Sequence, residues 1–312
     1  MSTSAHDHAA IEAATVEDLG GGLYAYIQPD GSWFINNTGF LVGHDGVTLV
    51  DACATERRTR AFRDSVRQIT DQPLRVLVNT HSHPDHTIGN GLFREAAIVA
   101  HEATREEVSK GVPPLQAVWE PFDAGTLPLA PPFLTYREGL TLWVDDLRCE
   151  VRHVGMPAHT TNDSIVWIPG RSVLYAGDLI FNGGTPFLLS GSVAGSIEVL
   201  TNVIAPLRAT TIVPGHGPIC GPAIIEPILG YLRFVQATAR AGRDAGLSPL
   251  DTARETDLGP YAEWTDSERL VGNLHRAYAE LDGRPPGVPL DLVQVLGDMI
   301  TYNGGKPLTC YA

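Results

Sequence analysis

The sequence is short of positive charge. Among 312 residues it has 22 lysines and arginines against 36 aspartates and glutamates, a net charge of −14. Such a surface repels phosphate backbones and anionic headgroups, so neither nucleic acid nor a membrane is expected as a partner. Cysteine is scarce too. Cys53, Cys149, Cys220 and Cys310 are far apart and form no C-x-x-C pair. A disulfide framework is not expected at this size, and each cysteine reads as a small buried hydrophobe in a reducing compartment. No run of about eighteen uncharged apolar residues occurs, so no membrane span is expected. The opening "MSTSAHDHAAIEAATVEDLG" lacks a basic region followed by an apolar stretch. No secretory leader is expected there, and the setting reads as cytoplasmic. His6 and His8 read as residues of a frayed terminus, not as ligands.

What is present suits a folded α/β chain: 43% hydrophobic and 19% charged residues. "LYAYIQ" and "TGFLVG" flank the turn signal "PDGS", and "VTLVDA" follows "GHDG". These read as an antiparallel meander. "TERRTRAFRDSVRQI" has apolar residues at helical spacing, with Thr55 as N-cap. Its arginines, Arg57, Arg58, Arg60, Arg63 and Arg67, read as a solvated helix face. "LRVLVN" is a buried strand, and "EAAIVAHEATREEV" a strand followed by a helix. The proline-rich "VPPLQAVWEPFDAGTLPLAPPF" reads as a surface loop partly covering a site. Strands resume at "LTLWVDD", "LRCEVRHVG", "DSIVWIPG" and "SVLYAGDLIF". "SIEVLTNVIAPL" is a helix, and "TTIVPGHG" a strand ending in a loop. From about Pro222 three amphipathic segments follow. The expected organisation is a catalytic sandwich over residues 1–221, with a mostly helical part, 222–312, packed on the same domain.

The chemistry concentrates in "THSHPDHTIG", which places His81, His83, Asp85 and His86 just after a strand. Three partners follow at further strand ends: His159 in "GMPAHTTND", Asp178 in "LYAGDLIF" and His216 in "IVPGHGP". In layered α/β folds such junctions gather at one edge. Neutral imidazole and carboxylate are ligands for a borderline divalent cation such as zinc. Two cations bridged by a carboxylate can activate water as a nucleophile near neutral pH. His44, His101, His153 and His275 read as structural.

This set, in this order and at these strand ends, resembles the metallo-β-lactamase-fold hydrolases. The resemblance implies an αββα sandwich with a helical C-terminal extension and two divalent ions, with Zn2+ the default. It assigns His81, His83 and His159 to one ion, Asp85, His86 and His216 to the other, and Asp178 to the bridge. Asp51 has the position of a carboxylate that orients a ligand histidine, and Asp85 that of a proton acceptor. Aspartate at position 178, where the commonest true β-lactamases carry cysteine, resembles the glyoxalase-type thioesterases and the lactonases. The flanks "YIQPDGSWFINNTGFLVG", "DACATERRTRAF", "NDSIVWIPGRSVLYAGDLIFNGGTPF" and "TYNGGKPLTC" are similar to an actinobacterial branch that includes type II polyketide cyclase/thioesterases. That branch implies a carrier-protein-bound aromatic acyl substrate. A lactone, a glutathione thioester or a β-lactam is the alternative, and a non-catalytic metal-binding scaffold a further one. Trp33, Phe34, Phe181 and Phe187 are candidate stacking residues for a flat substrate, and Tyr302 a residue of the pocket mouth. The helical tail is a candidate homodimer surface.

Overall fold

The computed structural model describes residues 14–112 and 117–312. His6, His8 and the leading part of the proline-rich segment lie outside the described residues. Two sheets face each other. The first runs β1 (Thr15–Gly20), β2 (Leu23–Ile27), β3 (Thr38–Gly43), β4 (Gly46–Val50), β5 (Leu74–Val78), β6 (Ala97–His101), β7 (Leu134–Tyr136), in that spatial order. It is antiparallel as far as β4 and parallel beyond. The second comprises β8 (Gly139–Val144), β9 (Leu147–His153), β10 (Ser164–Ile168), β11 (Val173–Phe181) and β12 (Thr211–His216), ordered β12-β11-β10-β9-β8. The helices are α1 (Glu56–Ile69), α2 (Pro84–Thr87), α3 (Glu102–Ser109), α4 (Val193–Val199), α5 (Ile225–Asp244), α6 (Pro249–Glu255), α7 (Arg269–Leu281) and α8 (Leu292–Tyr302).

The layering follows from alternation along the strands. Successive strand side chains point to opposite faces. On β10, Val166 and Ile168 enter the core between the sheets, while Ile165 and Trp167 face the helices of the C-terminal half. On the other side Tyr26, Phe40 and Leu49 pack against Phe62 and Val66 of α1. Both outer faces are therefore covered, giving the expected αββα sandwich. β11 is buried at all nine positions, as a strand covered on both faces must be. Beyond β12 the chain continues into the C-terminal helices from Ile225 onward. The core is continuous across this point: Tyr231, Leu274 and Met299 share one cluster with Leu174 and Ala176 of β11.

Thr55 caps α1, its hydroxyl accepting the Arg58 N–H at 3.2 Å. The arginine-rich face of that helix needs a correction, because Arg58 is fully buried. Its guanidinium donates to Gln28 Oε1 at 2.9 Å and to the Tyr311 carbonyl, so it ties α1 to the C-terminal segment. The "PDGS" turn is likewise not a hairpin turn. Residues 28–37 make a long excursion between β2 and β3, fastened by buried amides. Asn37 Nδ2 donates to the Pro214 and Gly217 carbonyls at 3.0 and 2.6 Å, and Asn36 Nδ2 to the Ala52 carbonyl at 2.8 Å. β1, mostly exposed, has no apolar alternation by which the sequence would reveal it. The four cysteines are free, three buried and Cys220 partly so. No helix among the described residues is long and apolar enough to cross a membrane.

Candidate metal centre

Seven side chains from four junctions meet at one edge of the sandwich. His81 and His83 follow β5, and Asp85 and His86 lie on the short α2 behind them. His159 sits in the β9–β10 loop, Asp178 within β11, and His216 at the end of β12. One ligand atom from each of His81, His83, His159 and Asp178 can be chosen so that all lie within 4.8 Å of one another. The same holds for Asp85, His86, Asp178 and His216. Asp178 belongs to both groups. Its Oδ2 is 3.3 Å from His159 Nε2 and 3.3 Å from His216 Nε2, and its Oδ1 is 3.0 Å from His86 Nε2. Position 215 must be glycine for this to fit, because a Cβ there would overlap Asp178 Oδ1.

The histidine tautomers follow from the partners of their outer nitrogens. His159 Nδ1 faces the Phe187 carbonyl at 2.6 Å and His216 Nδ1 the Gly31 carbonyl at 3.1 Å. A carbonyl only accepts, so each Nδ1 carries hydrogen and each Nε2 turns a lone pair inward. His86 Nδ1 donates to Asp51 Oδ2 at 2.9 Å. Thr80 Oγ1 donates to the same carboxylate at 2.7 Å, so its lone pair accepts His81 Nδ1–H at 3.1 Å. Asp51 also accepts the Thr80 backbone N–H at 2.7 Å and holds a left-handed φ of 61°. Four Nε2 lone pairs therefore converge on two carboxylates.

Hydrogen bonds within the chain do not satisfy this arrangement. His81 Nε2, His86 Nε2 and Asp178 Oδ1 are buried without a hydrogen-bond partner. His159 Nε2, by contrast, accepts His83 Nδ1–H at 2.7 Å. Converging neutral imidazoles and carboxylates with orphaned inner atoms fit divalent cations. Without cations, protons take their place. Burial opposes charge on His216, but Asp178 and Asp85 outweigh it and lift the ring to about 9. His86 is raised in the same way. His159, where burial dominates, is pressed down to about 3, and His81 also falls well below the ordinary value.

The candidate substrate residues divide. Phe181 is buried and lies parallel to His216, with ring centroids 5.0 Å apart. Trp33 is 7% exposed, lies against Arg269 with the guanidinium carbon 4.0 Å from its ring centre, and donates Nε1–H to Glu268 Oε1 at 2.6 Å. Both rings are wall material, not open stacking surfaces, a correction to the sequence reading. Phe34 and Phe187 are half-buried and join Trp119 of the proline-rich segment in an edge-to-face cluster with Trp33. Tyr302 ends α8, half-buried among the C-terminal helices. The other histidines among the described residues lie elsewhere: His44 beside Asp145, His101 stacked on His153, and His275 beside Asp298. Sequence reasoning missed Arg269, Thr80 and the Gly31 and Phe187 carbonyls. Thr80 adjoins the motif and could have been weighed, but a backbone carbonyl leaves no mark in a sequence.

Residues 31–216 match the family described as Metallo-beta-lactamase superfamily. The linear primary-alkylsulfatase of Pseudomonas sp. (strain ATCC 19151) is 24% identical over 260 residues, 70% of this chain and 49% of that protein. The 2,4-dinitroanisole O-demethylase subunit alpha of Nocardioides sp. (strain JS1661) is 26% identical over 183 residues, 56% of this chain and 51% of that protein. The acyl-coenzyme A thioesterase MBLAC2 of Bos taurus is 24% identical over 176 residues, 51% of this chain and 60% of that protein. The chain thus spans about half the length of the first of these relatives. Among solved structures, a metallo-beta-lactamase from Pontibacter korlensis superposes with a TM-score of 0.58 at 16% identity, covering 70% of this chain and 99% of that one. Metallo-beta-lactamase IND-7 gives 0.58 at 19% identity, covering 71% and 99%. At these identities the likeness is one of fold.

Proposed function

The chain belongs to the metallo-beta-lactamase superfamily, and from that premise we propose that it is a dinuclear, zinc-dependent thioester hydrolase. Its acyl substrate in this reading is an aromatic polyketide on a carrier protein, with aldol ring closure at the same centre. The observation that carries the reading is the pair of four-residue groups joined through Asp178. Divalent cations held there would supply Lewis acidity and an activated water. The chain's own residues do the rest. Asp51, Thr80 and two backbone carbonyls fix the histidine rings so that little reorganisation accompanies reaction. Asp85 is buried and stands beside His86 and His216, with Oδ2 3.2 Å from His216 Nε2. In this reading Asp85 is the proton acceptor beside the centre. Phe34, Phe187 and Trp119 offer half-buried aromatic surface for a flat acyl group. The likeness to an acyl-coenzyme A thioesterase supports thioester cleavage.

The match to an alkylsulfatase over 260 residues favours a second reading, hydrolysis of sulfate esters. A panel of aryl and alkyl thioesters, alkyl sulfates, lactones and β-lactams at equal enzyme concentration separates the two. Thioester turnover that chelation abolishes and zinc restores is the expected result. Turnover confined to sulfates would transfer the assignment. A protein loaded with two metal ions and inert on every ester would refute both and favour a metal-binding scaffold.

A further inference from the structure

Helix α7 presents Arg269, Asn273 and Arg276 to the segment after β11, three residues spaced so that a helix places them along one face. Arg269 Nη1 donates to the Thr185 carbonyl at 2.9 Å. Asn273 Nδ2 donates to the Pro186 carbonyl at 2.7 Å, and Asn273 Oδ1 accepts the Leu188 N–H at 2.8 Å. Arg276 Nη2 donates to the Leu189 carbonyl. All three side chains are buried. The Phe187 carbonyl goes elsewhere, to His159 Nδ1 at 2.6 Å. Asn273 thus grips the chain on both sides of the peptide oxygen that orients His159. Its amide orientation is fixed, because the Pro186 carbonyl only accepts and the Leu188 N–H only donates. The second Nδ2 hydrogen is taken by Tyr231 Oη at 2.9 Å.

We propose that Asn273 is a positioning residue for the ion site of His81, His83 and His159, acting on His159 through the Phe187 peptide. The inference rests on the metal-centre reading. An imidazole whose outer N–H is held by a fixed acceptor keeps its tautomer and ring plane, and loss of such an acceptor weakens a site roughly 10–100-fold. Asn273 acts one bond further out, so the lower end of that range applies. It lies beyond residues 31–216, the part of the chain that the family match covers.

The test uses the full chain loaded with cobalt(II), with affinities from chelator competition and site geometry from the visible absorption bands. Asn273→Ala is expected to weaken the three-histidine site about 10-fold and shift its bands, leaving the Asp85–His86–His216 site within about twofold. Tyr231→Phe, which removes only the bond to Tyr231, is expected to leave affinities and bands unchanged even if stability falls. Asn273→Asp keeps the acceptor for Leu188 and loses the donor to Pro186. It should shift the same bands in the same direction, and it carries the test if the alanine variant does not fold. A lower melting temperature with wild-type affinities and bands in both Asn273 variants would overturn the proposal and leave Asn273 a packing residue. A wild-type protein that takes up no cobalt at the three histidines would overturn the metal-centre reading, and this inference with it. Two bound ions in the wild type with unchanged variants would overturn this inference alone.

Discussion

Two ligand histidines, one from each half of the candidate metal centre, are braced by different material, although each half also holds a ring braced the other way, His81 through Thr80 and His216 by the Gly31 carbonyl. His86 is held by a side chain, the Asp51 carboxylate at the end of β4, which through Thr80 also steadies His81. His159 is held by a backbone carbonyl on a segment that α7 grips from the far end of the sequence. One brace lies inside the motif-bearing half of the chain and the other is borrowed from the C-terminal helices. The rings also differ in charge when no cation is present. His86 and His216, beside the carboxylates, are raised, whereas His81, His83 and His159 are lowered by burial.

Asp178 is where the halves join, so its loss should abolish the distinction. Asp178→Asn removes the buried charge that faces histidines of both groups. Both ions should bind far more weakly, with hydrolysis down by on the order of 10^3-fold. Elemental analysis after gel filtration, with circular dichroism to confirm the fold, checks this. Asp51→Asn should sharpen the contrast instead. Asparagine tolerates the left-handed backbone at this position but is no longer a carboxylate for His86. The Asp85–His86–His216 site should lose about 10–100-fold in affinity, and the three-histidine site less, through Thr80. Stepwise metal titration distinguishes the two losses. The pH response separates the halves without any substitution. Ligands must shed their protons to bind metal. With His216 at about 9 and His86 also raised, affinity at their site should fall as pH drops below about 9, by about tenfold per unit for each proton displaced. The three-histidine site should change little between roughly pH 6 and 8, because lowered rings are already neutral there. Parallel slopes in chelator competition would contradict the charge difference.

What was legible in the sequence shares a physical origin. The seven ligands stand in short motifs beside or within apolar strands, and α1 announces itself by a capping threonine and a periodic apolar face. Such signals are local. What was illegible depends on distant partners. Arg58 looks like any exposed arginine until Gln28 and the Tyr311 carbonyl are brought to it. Phe181 and Trp33 look free to stack until His216 and Arg269 occupy their surroundings. The excursion of residues 28–37 resembled a turn because its fastening points, Pro214 and Gly217, lie far along the chain.

β11 places the joint carboxylate on a strand with nine consecutive buried residues, flanked by β10 and β12. Strands of that kind open only when the whole molecule does, while entrance loops fluctuate at far lower cost. In deuterium-exchange terms, the amides of Val173–Tyr175, laddered to both neighbours, belong among the last to exchange, whereas the pairing with β12 shifts register on either side of Asp178. The carboxylate common to both ligand groups thus hangs from the firmly laddered stretch of β11 just before it, where opening requires global unfolding.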